Sequence, residues 1–253
     1  MLAISLQSGS NGNCIYVEAN GVRLLFDAGI CGIKAEQRLR SYGREIRKVD
    51  ALIISHDHAD HISCAGVYQR KFGLPIYITQ KTLQKAESEK RLGKLINVNY
   101  FIAGEEIRFD NVHIRTIPTP HDAVDGAAFI ISSGGKKLGI LTDLGHVFKE
   151  LVPAVASLEA VFIESNYDPE LLAGGPYPDF LKRRIQGPNG HLSNREAAEL
   201  LRAGINLKWA CLSHLSEKNN SPRLALKTHH EILGRRLTFY TASRHRPTEI
   251  FTV

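Results

Sequence analysis

No apolar run in this chain approaches the ~20 residues that a membrane-spanning helix needs, which argues against a helical membrane protein. The opening Met1-Leu2-Ala3-Ile4-Ser5-Leu6 lacks the basic residues and small-residue cleavage site of a secretory leader. It reads as a first strand, and a cytoplasmic location is expected. Cysteine is scarce, with only Cys14, Cys31, Cys64 and Cys211, and no two stand in C-x-x-C spacing. No disulfide framework follows from such spacing, and reduced, mostly buried thiols are expected. Core packing is the reading for Cys64 and Cys211, although both lie near chemistry-bearing residues in sequence. Internal repeats, low-complexity tracts and linkers are also absent, so residues 1–253 are read as one large α/β domain. Acidic residues are outnumbered, 26 against 32 Lys and Arg, for a formal charge of +6. That balance suits an anionic substrate, nucleic acid especially, though composition carries this only weakly.

Against these absences stands one dense stretch, Ser55-His56-Asp57-His58-Ala59-Asp60-His61. Five of its last six residues can ligate a metal. It follows Val49-Asp50-Ala51-Leu52-Ile53-Ile54, an apolar, β-branched run that predicts a buried strand. One helix face cannot serve positions 56, 58, 60 and 61, because 3.6 residues per turn disperse them around the axis. A tight loop at a sheet edge can turn them inward, and imidazole with carboxylate suits Zn²⁺, Mn²⁺ or Fe.

The same placement recurs downstream. His121 follows Ile114–Pro120, Asp143 follows Lys137–Thr142, and His214 follows Trp209–Ser213. Each polar residue stands directly after an extended apolar segment. This order, HxHxDH then His, Asp and His, resembles the metallo-β-lactamase superfamily. The resemblance implies an αβ/βα four-layer sandwich with metals at one edge of two facing sheets, where periodicity alone supports only a mixed α/β fold. It also implies two metal ions. His56, His58 and His121 would hold one, Asp60, His61 and His214 the other, and Asp143 would bridge them, with Asp60 counted also among the catalytic groups. Two dications roughly 3.5–4 Å apart need such an anionic bridge. Asp57 is left without a ligand role. It either orients a ligand or caps the loop.

Several further features concern the substrate. In Gly190-His191-Leu192-Ser193-Asn194-Arg195-Glu196, Ser193 and Glu196 form a capping box, so a helix starts there. His191 lies just before that start, beside free N–H groups that favour an anion. Glu164 directly follows the apolar Leu158–Ile163. The two resemble a glutamate–histidine pair of tRNase Z-type phosphodiesterases, in which the carboxylate orients the imidazole beside the scissile phosphate. Lys182-Arg183-Arg184 is either a nucleic-acid contact or a solvated helix face. Ser8–Asn13 is either a plain turn or a loop that brings the Asn13 amide near the site.

Along the chain, Asn20-Gly21 and Gly134-Gly135 predict hairpins. Helical spacing spans Ile33–Tyr42, His61–Phe72 with Gly73 as C-cap, Thr79–Arg91, about 148–156, 193–203 and 222–233. Strands are expected at 75–78, several within 95–118, then 127–132, 137–141, 158–163, 208–213 and 237–241. Most are expected to pair antiparallel. Residues 164–190, rich in Pro and Gly, read as irregular.

Taken together, SGSNGN (8–13), SHDHADH (55–61), ESNYDPELL (164–172), YPxxxKRRI (177–185), GHLSN (190–194) and LSHLSEKNNSP (212–222) resemble the WalJ/YycJ-like branch of the superfamily. That resemblance implies a metal-dependent 5′→3′ exonuclease on double-stranded DNA, with His191 and Glu164 acting beside the metals. A small-molecule phosphodiesterase for cyclic or nucleotide substrates and a glyoxalase II-like thioesterase are the alternatives. Only 71 positions separate Asp143 from His214, too few for the inserted cap domain of the larger nucleases. The long arm of tRNase Z is not evident either. Substrate grip is therefore expected from 164–190 and the basic surface.

Overall fold

Several strands of this chain are apolar on both faces, because both are covered. In the computed structural model, which describes residues 1–89 and 92–253, strands β1 (Leu2–Gln7), β2 (Cys14–Ala19), β3 (Val22–Phe26), β4 (Ala51–Ile53), β5 (Ile76–Ile78) and β6 (Val98–Tyr100) lie in one sheet. A second sheet holds β7 (Glu106–Phe109), β8 (Val112–Pro118), β9 (Ala127–Ser133), β10 (Lys136–Leu141), β11 (Ala160–Glu164), β12 (Trp209–Ser213) and β13 (Thr238–Thr241). The last strand, β14 (Phe251–Thr252), returns to the first sheet, beside β1. The orders are β14-β1-β2-β3-β4-β5-β6 and β13-β12-β11-β10-β9-β8-β7.

Period-2 alternation divides each strand between two cores. Ile15, Val17 and Ala19 of β2 point between the sheets, whereas Cys14 and Tyr16 point outward under helices. In β11, Ala160 and Phe162 face the other sheet, and Val161 and Ile163 face the helices. The expected αβ/βα sandwich is the architecture found. Burying one such large apolar side chain contributes roughly 1.5–3 kcal/mol, and all three cores are built from dozens of them.

Pairing departs from the mostly antiparallel expectation. In the first sheet β1, β2 and β3 pair antiparallel and β3 through β6 parallel. In the second, β7 through β10 are antiparallel and β10 through β13 parallel. Parallel neighbours need long crossovers, and the chain supplies them. Tight turns close the antiparallel halves. At Asn20-Gly21 and Gly134-Gly135 both turn residues have positive φ, as a two-residue hairpin requires.

The helices are α1 (Gly32–Arg40), α2 (Ala59–Ile62), α3 (Ala65–Phe72), α4 (Gln80–Ser88), α5 (Leu151–Ala156), α6 (Pro169–Gly174), α7 (Asp179–Gln186), α8 (Asn194–Leu201) and α9 (Pro222–Leu233). The predicted helix His61–Phe72 is broken into α2 and α3. The pair that would continue it, Asp60 C=O and Cys64 N–H, is bonded elsewhere. Asp60 O accepts from Asn13 N (2.7 Å) and Cys64 N donates to Ala28 O (2.9 Å). Gly73 caps α3 in the left-handed conformation, as expected. Thr79 is the N-cap of α4, and the expected end of that helix at Arg91 lies outside the described residues. Residues 164–190 are not irregular. Asp168 caps α6, Pro169 opens it, and Leu172 and Ile185 pack with Tyr167 in a small apolar cluster beneath α6 and α7. Prolines at helix starts were the misleading signal there. Among the cysteines, Cys14 and Cys211 are buried, Cys64 is half-buried and Cys31 is exposed, all as free thiols.

Candidate metal centre

Strands β1, β3 and β4 of the first sheet and β8, β10, β11 and β12 of the second run toward one edge, and the residues after them meet there. Ser8 follows β1, Asp27 follows β3 and His56 follows β4; His121, Asp143 and His214 follow β8, β10 and β12, while Glu164 ends β11. His56, His58 and His121 converge, as do His56, His61 and Asp143, and Asp60, His61 and His214; within each set the ligand-type atoms lie within 4.8 Å of one another. Glu164, His191, Asp143 and His214 form a further set. All nine sequence-predicted residues are thus brought to one place. The source of two differs from expectation: Asp60 and His61 project from the single turn α2, not from a loop, with His58 as its N-cap.

Neighbours fix which nitrogen of four histidines faces inward. His121 Nδ1 donates to Gly190 O (2.8 Å), and His58 Nε2 to Asp122 O (3.1 Å). His61 Nδ1 donates to Asp27 Oδ2 (2.7 Å). Ser55 Oγ donates to Asp27 Oδ2 (3.0 Å), so it accepts from His56 Nδ1 (2.9 Å). Each ring thereby turns its other nitrogen toward the centre, the orientation that metal-ligating imidazoles receive from their supports. His58 Nδ1 and His121 Nε2 then face each other at 3.3 Å. Two lone pairs at that distance repel, and a shared cation removes the conflict. His56 Nε2 is likewise buried with no hydrogen-bond partner among the described residues, and Asp143 Oδ2 faces His61 Nε2 at 3.1 Å.

Charge points the same way. Asp27, Asp143 and Glu164 are buried, and Asp60 retains 19 % side-chain exposure. Burial alone would raise the Asp143 carboxyl, but His214, His61 and His121 hold it well below the usual carboxylate range. Burial would lower His214, yet Asp143, Asp60 and Glu164 push it up to about 10. His61 is likewise driven up against its burial by Asp143, Asp27 and Asp60. His56 and His121 are held down, first by burial. Four carboxylates around these imidazoles form a pocket that favours cations, as the raised His61 and His214 show, and two divalent ions would match the charge of the carboxylates. These are the His/Asp clusters of a dinuclear metal site, and the donor set fits such ions.

His191 stands beside this cluster with 18 % side-chain exposure, and its Nδ1 lies 2.6 Å from Glu164 Oε1. Besides facing His191, Glu164 bonds two backbone amides. Its Oε2 accepts Leu144 N (3.1 Å) and Leu192 N (3.2 Å), joining the loops that carry Asp143 and His191. The charge and hydrogen bond of His191, with the hydrogen bond to His214, overcome burial and hold Glu164 at about 2. The capping box at Ser193 and Glu196 is present.

Asp57 accepts Val124 N (2.8 Å), which ties the 121–126 loop to the HxH turn. The Ser8–Asn13 loop reaches the site. Asn13 Nδ2 lies 2.9 Å from His61 Nε2 and 3.2 Å from Asp60 Oδ2, while Ser8 Oγ accepts His214 N (2.8 Å). Gly29 permits this approach, since a Cβ there would stand 1.7 Å from Asp60 O. The three successive cations have different fates. Lys182 Nζ donates to Ala173 O at the end of α6 (2.6 Å), Arg184 Nε pairs with Asp122 Oδ2 (2.5 Å), and Arg183 is exposed.

Sequence reasoning missed Asp27, Ser55, Asp122 and Asn166, whose Nδ2 lies 3.2 Å from His214 Nδ1. Asp27 carried the signal used for the other residues, a polar side chain directly after an apolar strand. It also has φ +64°, as Asp143 (+56°) and His214 (+55°) do. Non-glycine residues held there cost on the order of 1–3 kcal/mol each and persist where surroundings enforce them.

The β-lactamase superfamily domain matches residues 22–214. Exodeoxyribonuclease WalJ of Streptococcus pneumoniae is 37 % identical over 227 residues, covering 88 % of this chain and 84 % of that protein. The chain belongs to the WalJ/YycJ group of the metallo-β-lactamase superfamily. Exodeoxyribonuclease YycJ of Bacillus anthracis, in the same group, is 33 % identical over 232 residues, 90 % of this chain and 87 % of that one. The metallo-β-lactamase fold protein YhfI of Bacillus subtilis superposes with a TM-score of 0.75 over 98 % of both chains at 17 % identity, a likeness of fold. As a member of the WalJ/YycJ group with the superfamily's His/Asp clusters assembled, the chain is a metal-dependent hydrolase. No helix among the described residues is long and apolar enough to cross a membrane.

Proposed function

We propose that this hydrolase is a phosphodiesterase that digests DNA, a 5′→3′ exonuclease on double-stranded DNA working in the cytoplasm, with residues 1–253 as one catalytic domain. The observation that carries the reading is the Glu164–His191 pair, held at 2.6 Å beside the His/Asp cluster. The names of the WalJ and YycJ relatives support it. His56, His58 and His121 are assigned to one ion, Asp60, His61 and His214 to the other, and Asp143 to both. Zn²⁺ and Mn²⁺ suit these donors, and Fe is compatible with them. When bound, paired divalent ions supply a nucleophile from water near neutral pH and neutralise charge on phosphoryl oxygens.

The chain's own residues do the rest. Glu164 accepts the Nδ1–H of His191, so in its imidazolium form the ring presents Nε2–H, which donates to a phosphate oxygen or to the leaving group. Asp27, Ser55, Asp122 and the Gly190 carbonyl keep the ligand rings in register. The Asn13 amide, beside Asp60 Oδ2, holds that carboxylate in place.

The test is digestion of end-labelled duplex DNA, single-stranded DNA and RNA by protein reconstituted with Zn²⁺ or Mn²⁺, alongside a chromogenic phosphodiester. Stepwise loss of a 5′ label from the duplex is expected. Rapid thioester hydrolysis with no phosphodiester turnover would replace this reading with the glyoxalase II-like one. Turnover of cyclic or free nucleotides alone would replace it with a small-molecule phosphodiesterase.

A further inference from the structure

Helix α7 has two faces of opposite character. Leu181 and Ile185, four residues apart, turn into the apolar cluster with Tyr167 and Leu172. Phe180, Arg183 and Arg184, spaced by three and four, share the other face. Phe180 is 67 % exposed, so the core does not account for an aromatic ring there. Arg184 connects this face to the metal centre. Its Nε binds Asp122 Oδ2, and Asp122 Oδ1 lies 3.4 Å from His121 Nε2. The outer face of α7 therefore starts at the rim of the site and runs outward. Along it, Arg183 makes no ion pair among the described residues. Lys182 is turned back onto α6 and takes no part.

An apolar protein partner would have to bury two guanidinium groups to cover Phe180. A nucleic-acid strand offers an aromatic base to the ring and a phosphate to Arg183, the guanidinium that Asp122 does not already hold. We propose that Phe180 and Arg183 form a ledge that grips the substrate strand outside the metal centre, the ring stacking on a nucleobase and Arg183 holding a phosphate beyond the scissile one. The inference deepens the nuclease reading and rests on it for the choice of ligand. Such a ledge is tolerant of sequence, because every base has a π-face.

Two variants test it. Phe180→Ala should raise KM for an oligonucleotide about 5- to 100-fold, the scale of one lost base–aromatic stack, with kcat retained. Phe180→Trp should keep the wild-type KM and report stacking directly. The only natural tryptophan, Trp209, is 6 % exposed, so a new indole at the surface dominates the change in fluorescence. It should be quenched by a non-hydrolysable phosphorothioate oligonucleotide added to metal-reconstituted protein. An unchanged KM in Phe180→Ala, or an indole indifferent to the oligonucleotide, would overturn the ledge while leaving nuclease activity in place. A wild-type protein that degrades no polynucleotide would instead sink the nuclease reading, and the fluorescence titration would still decide the ledge.

Discussion

His214 and His229 are both buried in the half of the molecule built on the second sheet, with 4 % and 0 % exposure, yet their surroundings push them in opposite directions. His229, on α9, donates Nδ1 to Ala225 O (2.9 Å) and stacks near Phe239, and burial drives it down to about 4. His214 meets Asp143, Asp60 and Glu164 and is driven up to about 10. Burial depresses an imidazole wherever it occurs. Only a surplus of carboxylates reverses the sign, and this chain concentrates that surplus at one sheet edge. The histidine in the core is there to pack; the histidine at the edge belongs to a pocket made for positive charge.

Removing the carboxylate that His214 and the other rings share should have the largest effect. Asp143→Ala is expected to lose most bound metal by elemental analysis and nearly all activity. Full metal occupancy with normal turnover would show that the site's charge surplus has another purpose. Next is His191→Ala, which should keep both metals and lower kcat by ~10²–10⁴-fold, the scale of a lost positioned acid. Metal loss in that variant would make His191 a ligand instead. Glu164→Gln, which retains shape, should give a smaller loss, and the double variant should fall well short of the product of the two because one residue acts through the other. Fully multiplied losses would mean that His191 works alone.

The smallest effect sharpens the other side of the comparison. His229 has a folded pKa of about 4, below its unfolded value near 6.5. Its contribution is therefore complete above about pH 6.5 and is lost as pH falls toward 4, by about 3 kcal/mol at most. His229→Phe should flatten the fall of Tm across that window. An unchanged acid profile would place the acid sensitivity elsewhere in the fold.

The candidate site was legible because His56, His121, Asp143 and His214 each come shortly after an apolar strand, a local pattern that a sequence displays, and His58, Asp60 and His61 share the dense motif that begins at His56. The supports were mostly not. Gly190 O and Asp122 O are backbone atoms, and no residue type announces that its carbonyl will orient a ring. The break between α2 and α3 was hidden for the same reason, since it arises from main-chain bonds to Asn13 and Ala28 far away in sequence. Prolines in 164–190 read as disorder of pattern, although Pro169 begins a helix. The divergent fates of Lys182, Arg183 and Arg184 depend on where α6 and Asp122 lie, which three identical charges cannot reveal.

Gly190 lies four positions beyond the end of α7, and a side chain there would strike Ile185 O at 2.1 Å. Its carbonyl orients His121, while the helix before it carries the outward cationic face. Exchanging the side chains around it leaves that carbonyl where it is, because it belongs to the main chain. Gly190 itself is the exception: a position with no room for a Cβ is also the one whose oxygen aims an imidazole, so a methyl group added there would misdirect His121 without touching it.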